Sequence, residues 1–189
     1  LWYYFVIKGT TATQYYGNNQ DQRGGPGTLY DHQPPSFQIT VYDKDSVTPD
    51  WFKNAVVYQI FPDRFYHSTD SDAQDTGKLN ACMHEDWYEK PGYIKAEDGR
   101  IIKYDFFGGN LDGIREKLPY LEDLGVTVIY LNPVFESASN HRYDTGDYKK
   151  IDAYLGSNED MQLLCQEAAE HGMQVILDGV FSHTGDDSI

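Results

Sequence analysis

The chain has 189 residues, of which 24% are charged, with a formal net charge of −15. That length fits one domain, or one and part of another, and so acidic a surface repels phosphates, which excludes nucleic acid as a partner. No apolar run approaches the ~20 residues that a bilayer requires, no signal peptide is visible, and two cysteines make no disulfide framework; these features fit a bacterial cytoplasmic protein, with secretion left open.

Residues 1–50 have β composition. "LWYYFVI" at the start and "SFQITVYD" at 36–43 are predicted strands, and the Gly-, Asn- and Pro-rich stretch 15–35 between them is expected to be a long loop. This segment is expected to be the tail of an N-terminal β-sandwich domain plus a linker, with a second domain over 51–189. From residue 55 the pattern changes. "AVVYQIF" at 55–61 is a short, nearly continuous apolar run, as in a parallel strand covered on both faces. "NLDGIREKLPYLEDLG" at 110–125 places Leu111, Ile114, Leu118, Leu121 and Leu124 on one helix face. Asn110 is suited to cap its start and Gly125 its end, while Pro119 predicts a bend or a new helix start.

"VTVIYLNP" at 126–133 is the next predicted strand. "SNEDMQLLCQEAAEHG" at 157–172 is a second helix, with Ser157 or Asn158 as cap and Met161, Leu164, Cys165, Ala168 and Ala169 on its apolar face, so that Cys165 is expected to be a buried free thiol. "MQVILD" at 173–178 is the third strand. The order β-α-β-α-β predicts a parallel sheet. Its long connections, about fifty residues after the first strand and about twenty-five after the second, all leave the C-terminal strand ends. In α/β barrels and open sheets that rim is where ligands bind. Asp178 closes the third strand at this rim and His183 follows it.

Four motifs in register, "YQIFPDRF" at 58–65, "GVTVIYLNPVF" at 125–135, "HRYDTGDY" at 141–148 and "DGVFSH" at 178–183, give the chain a resemblance to the α-amylase superfamily of glycoside hydrolases. "FFGGNLDGIREKLPYLEDLGV" resembles in particular the neopullulanase, maltogenic amylase and cyclomaltodextrinase branch, many members of which carry an N-terminal β-sandwich. The resemblance implies an α/β fold: a partial (β/α)8 TIM barrel holding the first three strands and two helices. It also implies retaining cleavage of α-1,4-glucosidic bonds in starch-derived oligosaccharides, cyclodextrins or pullulan, which needs two carboxyl groups ~5 Å apart. In the family the catalytic carboxylates lie at the ends of the fourth, fifth and seventh strands, and a whole barrel takes about 250 residues. The chain is therefore expected to be a fragment that stops after the third strand, contains no catalytic nucleophile or acid, and is inactive alone.

By the same resemblance, His183 is expected to hydrogen-bond the sugar beside the scissile bond, Asp178 to orient its neighbours, and Tyr143 to stack on that sugar. His141, two positions before Tyr143 in a strand-like segment, is expected on the same side. Arg142 and Asp144 then point the other way, to pair with each other or with site carboxylates. Tyr58 is a weaker candidate for the barrel floor or site wall. Relatives that hold calcium near the "GGN" turn suggest Asp70, Asp72, Asp75, Asn110 and the Gly108 carbonyl as ligands. This chain departs from them with His67-Ser68-Thr69 in place of Asn-Gly-Asp, and a solvated acidic loop is the competing reading. Ser182, where many relatives have Asn, makes a second calcium site unexpected. No organic cofactor is expected. The expected partners are α-glucan oligosaccharides, the remainder of the barrel and, in the full-length protein, a second copy in a homodimer. The alternatives are a non-catalytic carbohydrate-binding or complementation fragment and an unrelated α/β domain binding metal or phosphate; the last is weakened because no Gly-rich phosphate loop is present.

Overall fold

The computed structural model describes residues 1–68, 78 and 80–189, and the chain divides into two units, Leu1–Pro49 and Asp50–Ile189. In the first unit β1 (Trp2–Tyr3) pairs antiparallel with β5 (Phe37–Gln38), and β2 (Phe5–Lys8), β3 (Thr13–Gly17) and β4 (Thr28–Tyr30) form a three-stranded antiparallel sheet. β3 and β4 lie partly or wholly in the stretch expected to be loop. Their register sets Tyr16 opposite Phe5, and Tyr3, Phe5, Tyr16 and Phe37 gather with neighbouring ring centroids 5.5–6.5 Å apart. Gly27 is required here: a Cβ on it would lie 2.5 Å from the Gly17 carbonyl and 2.6 Å from the Phe37 ring.

The second unit opens with a short helix, α1 (Asp50–Lys53), and β6 (Val57–Ile60). The long connection that follows is not featureless. It contains β7 (Ala81–Met83), β8 (Ile94–Lys95) and β9 (Ile101–Phe106), which form a small sheet in the order β7-β9-β8. Next come α2 (Leu111–Glu116), α3 (Leu118–Asp123), β10 (Val128–Leu131), the hairpin of β11 (Phe135–Ser137) and β12 (Thr145–Ile151), α4 (Asn158–Glu170) and β13 (Gln174–Leu177). Pro119 does mark a new helix start, since it sits in the first turn of α3. Asn110 caps α2 by accepting from Gly113 N at 2.7 Å. Gly125, at φ 83°, ends the segment in a left-handed conformation that favours glycine.

β6, β10 and β13 form the expected parallel sheet, with β10 in the middle; Ile60, Leu131 and Leu177 are in register at their C-terminal ends. Alternation puts Ile60, Ile129 and Leu131 on one face. There they are buried with Leu111, Ile114, Leu118 and Leu121 of α2 and α3, and with Met161, Leu164 and Ala168 of α4. The buried face of α4 is narrower than the sequence suggests. Its 3-then-4 spacing selects Met161, Leu164 and Ala168 and leaves Cys165 exposed, contrary to the buried thiol expected. Ser157 caps α4 in a reciprocal capping box with Asp160.

Two buried aspartates tie the loops to this scaffold. Asp63 accepts from Phe107 N and Gly108 N, and a Cβ on Gly109 would stand 2.2 Å from the Pro62 carbonyl, so the two loops touch at backbone distance. Burial pushes the Asp63 carboxyl above its ordinary value despite the nearby Arg142 charge and these amide donors. Asp152, fully buried, lies 3.1 Å from Arg142 Nε, off the axis of a hydrogen bond, and accepts from Lys78 Nζ at 2.6 Å. Burial raises Asp152, but the charges of Arg142 and Lys78 outweigh it and hold the carboxyl below its usual value. A depressed carboxyl stabilises the fold fully above the unfolded value, 3.8, and loses that contribution as pH falls through the folded one. Asp63, shifted upward, acts in the opposite sense, so comparison with a variant isolates Asp152. Replacing Asp152 by Ala should cost roughly 3–5 kcal/mol in denaturant unfolding, because Arg142 is left buried and unpaired. Asp152→Asn should flatten the acid limb of stability below pH 3.8; an unchanged midpoint and acid limb would refute the role given to the pair.

Candidate functional site

The parallel ladder runs one residue past the strands. Asn132 N donates to the Ile60 carbonyl at 2.9 Å and Asp178 N to the Leu131 carbonyl at 3.0 Å. Asn132 and Asp178 are thereby fixed at the C-terminal rim, on the sheet face opposite Ile129 and Leu131. A polar row crosses this rim. Gln59 Nε2 donates to Asn132 Oδ1 at 2.9 Å, Asn132 Nδ2 lies 3.5 Å from the Tyr143 hydroxyl, and that hydroxyl donates to Asp178 Oδ2 at 2.7 Å. The hydrogen bond to Asp178, then partial burial, push the Tyr143 phenol up to about 12, so it remains a neutral donor throughout the physiological range. Tyr130, on the same face, is also raised, by burial first and by the Asp178 charge second.

Tyr143 comes to the rim on a turn rather than a strand. Arg142 takes a left-handed conformation, φ 60°, and its side chain is fully buried. It pairs with Asp152, and its Nη1 donates to the Asn140 carbonyl at 2.9 Å. This corrects the expectation that Arg142 pairs with Asp144 or with a site carboxylate. Asp144 accepts instead from the hydroxyls of Ser137 and Ser139. His141 and Tyr143 still end up neighbours, with ring centroids 6.0 Å apart. Tyr143 N–H lies 3.1 Å from His141 Nδ1, and the same ring nitrogen is 3.0 Å from Ser139 Oγ, so the imidazole is held against the turn through Nδ1 and keeps its Nε2 edge outward.

The other predicted residues separate. His183 is exposed; its Nδ1 lies 3.0 Å from Ser182 Oγ, and among the described residues its ring touches neither Tyr143 nor Asp178. Tyr58, partly buried, packs with Phe65 against the core on the helix-facing side, one residue out of phase with Gln59 and apart from the rim row. Gln59, Asn132 and Tyr130 were not singled out in the sequence. The available signal for Asn132 was a polar residue between an apolar run and Pro133, the same signature that marked Asp178.

Of the five calcium candidates, Asp70, Asp72 and Asp75 lie outside the described residues. The other two are engaged. His67 Nδ1 is 2.6 Å from the Gly108 carbonyl, and Asn110 Oδ1 accepts from Gly113 N and Ser68 N. Among the described residues no group of three or more His, Cys, Asp or Glu side chains is placed to hold a metal. No chemistry is derived through a metal. No helix among the described residues is long and apolar enough to cross a membrane.

The model of the alpha amylase catalytic domain matches residues 59–188. Along 100% of its length the chain is 51% identical to an amylopullulanase of Thermoanaerobacterium saccharolyticum, of which it covers 16%. It is 44% identical to neopullulanase 2 of Thermoactinomyces vulgaris, with 79% of this chain and 23% of that protein aligned. Among solved structures, the cyclic alpha-maltosyl-(1→6)-maltose hydrolase of Arthrobacter globiformis in complex with maltose superposes with a TM-score of 0.59 at 37% identity, covering 74% of this chain and 28% of that one. The chain therefore spans only a small part of the relatives that it matches.

The Tyr143–Asp178 bond has a spectroscopic signature. Tyr143→Phe should remove one phenol titrating near 12 from the alkaline absorbance difference spectrum. Loss of a phenol titrating near the ordinary 10.0 instead would place the Tyr143 hydroxyl away from the carboxylate.

Proposed function

The chain belongs to the alpha-amylase catalytic-domain family, and from that premise we propose that its strand-end rim accepts one glucosyl ring of an α-glucan within a retaining α-glucan hydrolase. The observation that supports this reading is the row Gln59–Asn132–Tyr143–Asp178, which joins polar groups from the ends of all three parallel strands through the Tyr143 hydroxyl. The Tyr143 side chain is part-exposed, and its ring suits the C–H face of a pyranose. Asp178 fixes that ring through the phenol and so orients it. His141 offers its Nε2 edge beside it as a sugar hydrogen-bond partner, and His183, exposed beyond the rim, is proposed as a second. The arrangement binds and orients. Bond cleavage by retention needs a carboxylate nucleophile and a carboxylic acid ~5 Å apart, and we assign neither to this chain.

The remainder of a barrel is the proposed protein partner. Val57, 46% exposed, lies on the sheet face opposite the helices, where further barrel strands would cover it. The N-terminal unit, with its two antiparallel sheets, suits the tail of a β-sandwich domain.

Three measurements test this reading. The chain alone should release no reducing ends from maltodextrin; sustained release by pure material would show that it carries its own nucleophile and acid. Calorimetric titration with maltoheptaose should show binding that Tyr143→Ala weakens by roughly tenfold, the loss of one aromatic contact and its buried area. Binding equal to that of the unmodified chain would exclude Tyr143 from the sugar site. Thermal melts in calcium and in chelator should coincide, because Gly108 and Asn110 already satisfy their oxygens within the protein; a rise in Tm with calcium would restore the metal.

A further inference from the structure

The connection between β6 and α2 builds a second concave surface that the family motifs leave unexplained. Tyr66, Met83, Trp87, Tyr88 and Phe107 line a groove of about 640 Å3, within the ~300–1,000 Å3 typical of small-ligand sites. It shares no lining residue with the Gln59–Asn132–Tyr143–Asp178 row. Its wall is held rigid from behind. The His84 ring stacks on Phe107 with centroids 4.3 Å apart, and Trp87 meets Phe107 edge-on at 6.0 Å. His84 is fixed at both nitrogens, by Glu89 Oε2 at 2.6 Å and Asp105 Oδ2 at 3.3 Å. Asp105 is held in turn by Arg64 Nη2 at 3.2 Å and Asn140 Nδ2 at 2.9 Å. In front of this braced wall the aromatic residues are open to water, Tyr88 at 91% and Trp87 at 38% exposure.

The chemistry of the groove narrows its occupant. The two imidazoles at the lining are already engaged, His67 with the Gly108 carbonyl and His84 with Glu89 and Asp105, so an anion is disfavoured by the carboxylate of Glu85 and by the chain's net charge of −15. A metal ion has no cluster of ligands among the described residues. A wholly apolar partner would desolvate Glu85 and the His84–Glu89 pair without replacing the lost hydration. A neutral molecule with flat C–H faces and many hydroxyls meets every condition: its faces stack on exposed rings and its hydroxyls donate to Glu85. We propose that this groove is an accessory binding site for a neutral α-glucan chain, with Trp87 and Tyr88 as its stacking platform. The choice of an α-linked sugar rests on the glucan reading of the rim.

The test is calorimetric titration of the full chain with maltoheptaose, applied to Trp87→Ala, Tyr88→Ala and Tyr143→Ala, with a thermal melt of each. Tyr88 is exposed enough that its replacement leaves the fold and the Tm intact. Either groove variant should weaken one binding phase by roughly tenfold while leaving the phase that Tyr143→Ala weakens. If both groove variants bind as the unmodified chain does and Tyr143→Ala alone weakens binding, the groove is overturned and the rim reading stands. If the groove variants alone lose binding, the accessory site stands and the rim reading falls. Absence of binding by the unmodified chain overturns both.

Discussion

A guanidinium sealed away from water imposes the main constraint on this chain. Arg142 is fully buried in a left-handed turn and faces the equally buried Asp152. Taking both charges out of water costs several kcal/mol per ion, which their mutual attraction offsets only in a fixed geometry. That geometry is over-determined. Lys78 supplies a second positive charge to Asp152, the Arg142 Nη1 holds the Asn140 carbonyl, and Arg142 N donates to Ser139 Oγ. The turn from Ser139 to Asp144 therefore has one permitted shape. His141 and Tyr143, flanking the buried arginine, are carried to the rim by it, and the exposed chemistry depends on the buried pair.

The same logic applies where Asp63 clamps Phe107 and Gly108. A carboxylate inside the fold takes the place of a regular ladder in tying a loop to the sheet, and its raised pKa records the cost of burying it. The parallel strands supply the other half of the arrangement. Because Ile60, Leu131 and Leu177 are in register, the residues that follow them emerge at one level. Two of those residues, Asn132 and Asp178, extend the ladder by their backbones and face the open side with their side chains. Rigid strand ends give placement, and a neutral phenol beside a carboxylate gives an oriented ring. Such a surface supplies what the proposed sugar site requires.

Much of the scaffold was legible because it rests on local rules. Continuous apolar runs marked the three parallel strands, Asn110 and Ser157 announced helix starts, and Pro119 divided α2 from α3. Asp178 stood out as an acid closing an apolar strand. What escaped depends on contacts distant in sequence. β3 and β4 sit among glycines and prolines that read as loop, yet Tyr16 is drawn into pairing by Phe5 and Phe37. In the β7-β9-β8 sheet two strands are only three and two residues long, and Ile101–Phe106 shows no clean apolar–polar alternation. Cys165 falls just outside a helix stripe that only the packed sheet defines. The partner of Arg142 is ten residues away, across a hairpin whose register is irregular, and nothing local distinguishes Asp152 from Asp144. The face that Tyr58 takes was likewise hidden, because a continuous apolar run conceals strand alternation.

The central claim is that Tyr143, held by Asp178, presents its ring to a glucosyl unit. A crystal structure of the chain grown with maltoheptaose tests it most directly. The account predicts a pyranose lying against the Tyr143 ring with the phenol still hydrogen-bonded to Asp178. Sugar bound elsewhere with that rim empty, or a phenol turned away from the carboxylate, would contradict it.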